Sequence, residues 1–125
     1  MSRYLLDSDC SIYAMLGSHS ALGDRLAQCE PGEVIISAVS FAEIMMGENL
    51  GYPPDIEVIE AFVRVVPIVP FGDAAARAYA KLPFKRARFD RLLAAHALSI
   101  GAVVVTNNEG DFADVPGLKV ENWTV

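Results

Sequence analysis

Four carboxylates, Asp7, Glu43, Asp90 and Asp111, stand where an α/β chain collects a ligand. Asp7 directly follows the apolar run Leu5-Leu6. Glu43 lies one turn into the helix that should follow Val34-Ile35-Ile36, and Asp111 falls in the loop after Val103-Val104-Val105. In an open parallel sheet, ligands bind outside the carboxyl ends of the strands. Asp90 joins the other three if the N-terminus of its helix points to the same edge. Carboxylates gathered there without comparable basic partners repel and shift one another's pKa values. A divalent cation resolves that repulsion. Hard oxygen ligands select Mg2+, or Mn2+, over zinc, and no Cys/His ligand spacing competes.

Each acid also has a plain structural use. Asp7 can close a turn at a strand end. Glu43, three residues after Ser40, forms a capping box with it. Asp90 can sit in a helix first turn, favoured by the dipole and paired with Arg86 or Arg88. Asp111 and Asp114 can be loop acids. His96 stands on the face of Leu92 and Leu93, about 240° around the helix from Asp90 at ~100° per residue, and reads as a core or interface histidine. The case rests on the joint placement of the acids.

The elements that must position these residues alternate. Arg3–Leu6 is a predicted strand, Asp9–Leu16 and Ser20–Cys29 are predicted helices, and Val34–Ile36 is a buried strand. Ser40 opens a helix carrying Phe41, Ile44, Met45 and Met46. Pro53-Pro54 starts another, with Ile56, Ile59, Phe62 and Val63 on one face, before a short strand over Val66–Val69. Asp73 caps a helix ending at Pro83. Phe89–Ile100 is amphipathic and closed by Gly101. Ala102–Thr106 is a β-branched run of the kind buried in parallel sheets, and Leu118–Val120 is a last short strand. Strands alternating with helices imply parallel βαβ units. No linker or repeat interrupts the pattern, so residues 1–125 are expected to form a single domain.

Composition sets the boundaries. With 125 residues, 53% of them hydrophobic, the chain suffices for one buried core. Two cysteines, Cys10 and Cys29, make no disulfide framework and suit reduced, buried thiols. The N-terminus turns acidic too soon for a signal peptide, and no apolar run approaches the roughly 20 residues of a membrane span. A cytoplasmic location is therefore expected. The net charge of −6 argues against a nucleic-acid partner at first sight. Yet acids at a metal site are neutralised by the metal, and five of the ten Lys and Arg residues (Lys81, Lys85, Arg86, Arg88, Arg91) fall within eleven positions. That run is either a solvated loop and helix start or a phosphate-facing patch.

Five blocks occur in order: Leu5-Leu6-Asp7-Ser8-Asp9; Ser40-Phe-Ala-Glu43-Ile-Met-Met-Gly47; Phe89-Asp90-Arg-Leu-Leu-Ala-Ala-His-Ala97; Val105-Thr106-Asn107-Asn108 with Asp111-Phe112; and Pro116-Gly-Leu-Lys-Val-Glu-Asn-Trp123. Together, and over essentially the whole chain, they resemble PIN-domain ribonuclease toxins of the VapC type, from type II toxin–antitoxin systems. The resemblance implies a PIN-like three-layer α/β/α fold with a central, mostly parallel sheet. It also implies metal-dependent endoribonuclease activity, a homodimer, and inhibition by a small antitoxin encoded beside the toxin. Asp7, Glu43, Asp90 and Asp111 match the family's acidic quartet, Thr106 its active-site Ser/Thr, and Asn107 the polar residue beside it. Asp9 matches a supporting position. Ser8 replaces a more usual Thr, and the stretch from Pro83 to Phe89 is shorter than in many relatives. The fourth acid is the most variable position, with Glu109 as the nearby substitute for Asp111.

These readings lead to hydrolysis of an RNA phosphodiester at Mg2+ held by Asp7, Asp90 and Asp111, with Glu43 reaching the metal through water or handling the nucleophile. Thr106 orients a ligand carboxylate, and Lys85, Arg86, Arg88 and Arg91 guide the RNA backbone. One alternative is a haloacid-dehalogenase-like phosphatase, which Asp7-Ser8-Asp9-Cys10-Ser11 mimics but whose catalytic Lys is missing. Another is a non-catalytic PIN-fold module that binds RNA or protein. For the antitoxin, Met45, Met46 and the Ile56–Phe62 face offer an apolar surface.

Overall fold

The computed structural model describes residues 3–83 and 89–125. Among these, five strands alternate with six helices. The strands are β1 (Tyr4–Leu6), β2 (Val34–Ser37), β3 (Ile68–Val69), β4 (Val103–Val105) and β5 (Val120–Glu121). The helices are α1 (Ser8–Leu16), α2 (Ser20–Ala27), α3 (Ala38–Asn49), α4 (Ile56–Val65), α5 (Asp73–Ala80) and α6 (Phe89–Ile100). Every strand pair is parallel, in the order β3-β2-β1-β4-β5. Leu5 lies between Ile35 and Val104 in this register, and Leu6 between Ile36 and Val105.

Because strand side chains alternate faces, that register sorts the core into two halves. Leu6, Ile36 and Val105 pack with Cys10, Leu22, Ile44, Ile59 and Trp123 beneath α1–α4. Leu5, Ile35 and Val104 pack with Leu93, Ala94, Ala97 and Phe112 beneath α6, which α5 backs. Helices on both faces of a parallel sheet make the expected three-layer α/β/α architecture. The chain runs outward from β1 to β2 and β3 on one side, then returns to β4 on the other. The carboxyl ends of β1 and β4 therefore flank the point where strand order reverses, the usual ligand crevice of such sheets.

Local boundaries differ from the sequence reading in one respect that matters for the site. Ser37, not Ser40, caps α3: its backbone is extended (φ −70°, ψ 145°), and its hydroxyl accepts from the Val39 amide at 3.1 Å. β2 runs into α3 without a loop, so the last strand residue is also the cap. Ser40 is then inside the helix and buried, and the capping box with Glu43 does not exist. Elsewhere Gly72 rather than Asp73 occupies the cap of α5. Asp55, after the two prolines, caps α4 through the Val58 amide.

Candidate active site

Asp7 is built into the β1–α1 junction by both its backbone and its side chain. Its amide donates to the Val105 carbonyl at 3.0 Å, fastening it beside the end of β4. Its Oδ1 accepts from the Cys10 amide at 2.7 Å as the N-cap of α1. The Ser11 hydroxyl donates to its carbonyl at 2.8 Å. Burial pushes the Asp7 carboxyl above its ordinary pKa; hydrogen bonds from Thr106 and Cys10 oppose the shift, and the nearby Asp9 charge adds to it. Burial and the Asp7 carboxylate also push the Cys10 thiol up, so it stays protonated and unreactive.

Thr106, at the end of β4, is fully buried. Its hydroxyl oxygen accepts from the Asn108 amide at 3.0 Å, and its hydrogen bond to Asp7 favours that carboxylate's charged form. One hydroxyl thus ties the β4 loop to the β1 carboxylate. Glu43 projects from the second turn of α3. Burial raises its pKa, the Ser8 hydroxyl counteracts the rise, and the charges of Asp9, Asp90 and Asp7 reinforce it. Acids distant in sequence thus lie close enough for their charges to act on Glu43.

All of these groups line one cavity of about 120 Å³: Asp7, Ser8, Asp9, Glu43, Asp90, Thr106, Asn108 and Asp111, closed below by Leu93 and Phe112. The four expected acids therefore face a common space, contributed by the β1 end, α3, the first turn of α6 and the 3-10 turn Glu109–Phe112. Glu109 does not line that cavity, which makes Asp111 the acid supplied by this turn. The lining carries oxygen donors and no imidazole or thiol, which suits Mg2+ or Mn2+. Among the described residues, no three Asp, Glu, His or Cys groups already cluster as an ion cage.

Two sequence expectations, Asn107 and Arg91, are met by a different geometry. Asn107 does not face the acids; its Nδ2 donates to the Tyr13 hydroxyl at 3.3 Å. The polar residue at the pocket is Asn108, whose Nδ2 donates to Asp111 Oδ2 at 2.6 Å. The Asn107-Asn108 pair was visible in the sequence, but which of the two turns inward depends on the loop that leaves β4. Arg91 is not poised for RNA, since it is buried and its Nη2 donates to both oxygens of Asp114, at 2.7 and 2.8 Å. Lys85, Arg86 and Arg88 lie outside the described residues. His96 is where its helical phase put it, buried away from the acids, with Nδ1 2.7 Å from the Ser37 hydroxyl and its ring edge-on to Phe71.

Comparison with known proteins agrees with this architecture. The family model for the PIN domain matches residues 4–118. The chain is 29% identical to the tRNA(fMet)-specific endonuclease VapC of Shigella flexneri, over 99% of this chain and 100% of that protein. It is 30% identical to ribonuclease VapC2 of Haemophilus influenzae (strain ATCC 51907 / DSM 11121 / KW20 / Rd), over 98% and 99% respectively. The crystal structure of DNA-bound VapBC from Salmonella typhimurium contains a chain that superposes with a TM-score of 0.86, at 25% identity, over 98% of this chain and 99% of that one.

Proposed function

The chain belongs to the PIN domain family, and from that premise we propose that it is a Mg2+-dependent endoribonuclease, the toxin of a VapC-type toxin–antitoxin pair. The observation that carries the proposal is the convergence of Asp7, Glu43, Asp90 and Asp111, drawn from four separate elements, on one polar cavity. Its support beyond geometry is the ribonuclease and endonuclease activity named for relatives that match along their full length.

The residues divide the work. Asp7, Asp90 and Asp111 would hold Mg2+ or Mn2+, with Glu43 completing the set. A bound ion supplies Lewis-acid polarisation of the phosphodiester and acidifies water. Thr106 favours the charged form of the Asp7 carboxylate against the effect of burial and helps fix its orientation, as supporting hydrogen bonds do around metal ligands. Asn108 does the same for Asp111. Glu43, whose burial holds its carboxyl above the ordinary pKa, is suited to accept a proton from an attacking water. The phosphatase alternative gives way, because no lysine lines the cavity among the described residues.

The proposal includes a small antitoxin, a homodimer and a cytoplasmic setting; no helix of the described residues is long and apolar enough to cross a membrane. An apolar groove of about 700 Å³ between α1, α2 and α4, lined by Met15, Leu26, Val58, Phe62 and Val65, fits a partner segment of that kind. Of the expected α4 face it takes only Phe62, because Ile59 is buried in the core; Met45 also packs against the core, and neither Met45 nor Met46 lines the groove.

Digestion of total cellular RNA with and without Mg2+, comparing wild type with Asp7→Asn and mapping the new ends, tests the proposal. Metal-dependent cuts that vanish in Asp7→Asn support it. Metal-independent cutting, or an Asp7→Asn variant as fast as wild type, overturns the mechanism. RNA binding without cutting of any RNA leaves the non-catalytic module as the answer.

A further inference from the structure

We propose that the stacked pair Tyr13–His19 is a base-stacking subsite, holding a nucleobase of single-stranded RNA beside the carboxylate cavity; this rests on the ribonuclease reading above. The two rings lie 4.1 Å apart between centroids, with 30° between their planes. Tyr13 packs against the hydrophobic core. His19 is half-buried, between the exposed Ser18 and Ser20, and stacks on the Tyr13 ring.

The backbone is arranged to put His19 there. Gly17 ends α1 in the left-handed region (φ 65°), with its amide donating to the Ala14 carbonyl and the Ser18 amide to the Tyr13 carbonyl. A glycine takes that conformation without steric cost. The reversal folds His19 back over Tyr13, six residues earlier. The Ser18 hydroxyl, 2.8 Å from Nδ1, then sets the plane of the imidazole.

The platform is joined to the active site through one hydrogen bond. Side chains on a helix lean toward its N-terminus, so the Tyr13 hydroxyl returns toward the carboxyl edge of the sheet and accepts from Asn107 Nδ2 at 3.3 Å. Asn107 lies between Thr106 and Asn108, both of which line the cavity. Along α1, Tyr13 is only about 9 Å from Asp7 at ~1.5 Å per residue. A flat aromatic pair beside a phosphodiester site is the arrangement by which proteins hold unpaired bases, since every base has a π-face to stack.

The test is steady-state cleavage of a single-stranded oligoribonucleotide by wild type, His19→Ala and His19→Trp in Mg2+. Bis(p-nitrophenyl) phosphate, which carries no nucleobase, serves as the second substrate. His19→Ala should raise KM for RNA about tenfold, the scale of one lost base stack, with kcat within about twofold. His19→Trp should restore KM, and hydrolysis of the base-free diester should not change. An unchanged KM in His19→Ala, an equal loss on the base-free diester, or no rescue by a folded His19→Trp would overturn the proposal. If wild type cuts no RNA, the ribonuclease reading has failed separately. Fluorescence anisotropy with the same labelled RNA then decides the platform: about tenfold weaker binding in His19→Ala supports it, and equal binding overturns it.

Discussion

Asn108 donates its side-chain amide to Asp111 at 2.6 Å, while its neighbour Asn107 turns away to Tyr13. Two adjacent asparagines thus serve different parts of the molecule. Removing a group that orients a metal-binding carboxylate costs about 10- to 100-fold in metal affinity. Asn108→Ala should therefore weaken Mg2+ binding by about that factor, measured by isothermal calorimetry. Asn107→Ala should leave the affinity within about twofold. The reverse order would mean that the loop turns the other way.

Asp7 sets stability against chemistry. Its carboxyl is held above the ordinary value by burial, so the folded protein binds a proton there more tightly than the unfolded chain does. The sign follows: stability attributable to this group is present at low pH and lost as pH rises through the folded value. Asp7→Asn removes that penalty while keeping a good N-cap for α1. In chelator at pH 7.5 its melting temperature should exceed that of wild type, and cleavage should fall about a hundredfold or more, the scale of losing one charge-stabilising group. Mg2+ should raise the melting temperature of wild type and not of the variant.

Arg91 is a structural cation. Its side chain is 5% exposed, and its Nη2 meets Asp114, which is 38% exposed. Asp114→Ala leaves the buried guanidinium without that carboxylate and should cost about 2–3 kcal/mol, below the full value for a buried pair because Asp114 is partly solvated. Urea denaturation measures it. KM for RNA, normalised to folded protein, should not move. An RNA-binding role for Arg91 would instead raise KM without loss of stability.

His96 gives the fold a pH limit on the acid side. Burial first, and the Arg3 charge second, hold its pKa below the ordinary 6.5. Below about pH 6.5 the unfolded chain takes up a proton that the folded protein resists, so stability falls as pH drops through that range. Melting temperatures between pH 7.5 and 5.5 should fall more steeply for wild type than for His96→Gln. The variant should be less stable at pH 7.5, where it lacks the ring contact with Phe71.

Much of this was legible beforehand because it depends on local period and spacing. Alternating strand and helix signals imposed a parallel sheet, and the β-branched run at 103–105 had to be an interior strand. Asp7 and Thr106, each one residue past a strand end, had to reach the carboxyl edge together once β1 and β4 were neighbours. The helical phase of His96 against Asp90 favoured a core or interface histidine over a site residue. What failed was of a different kind. Ser40 had the spacing of a cap, but β2 continued one residue further than its apolar run and Ser37 took the position. Arg91 had the charge of a phosphate ligand, but a carboxylate 23 residues away claimed it.

The four acids, their hard-oxygen chemistry and the layered fold that gathers them were thus determined by the sequence itself, through residue type and periodicity, which act over a few positions. Which of two asparagines faces Asp111, whether Asp111 or Glu109 completes the cavity, and how His19 comes to lie on Tyr13 were decided only by tertiary structure. Each depends on the exit direction of a loop or on a single left-handed glycine. A rotation of one residue there redirects a side chain by several ångströms, and neither composition nor spacing records it.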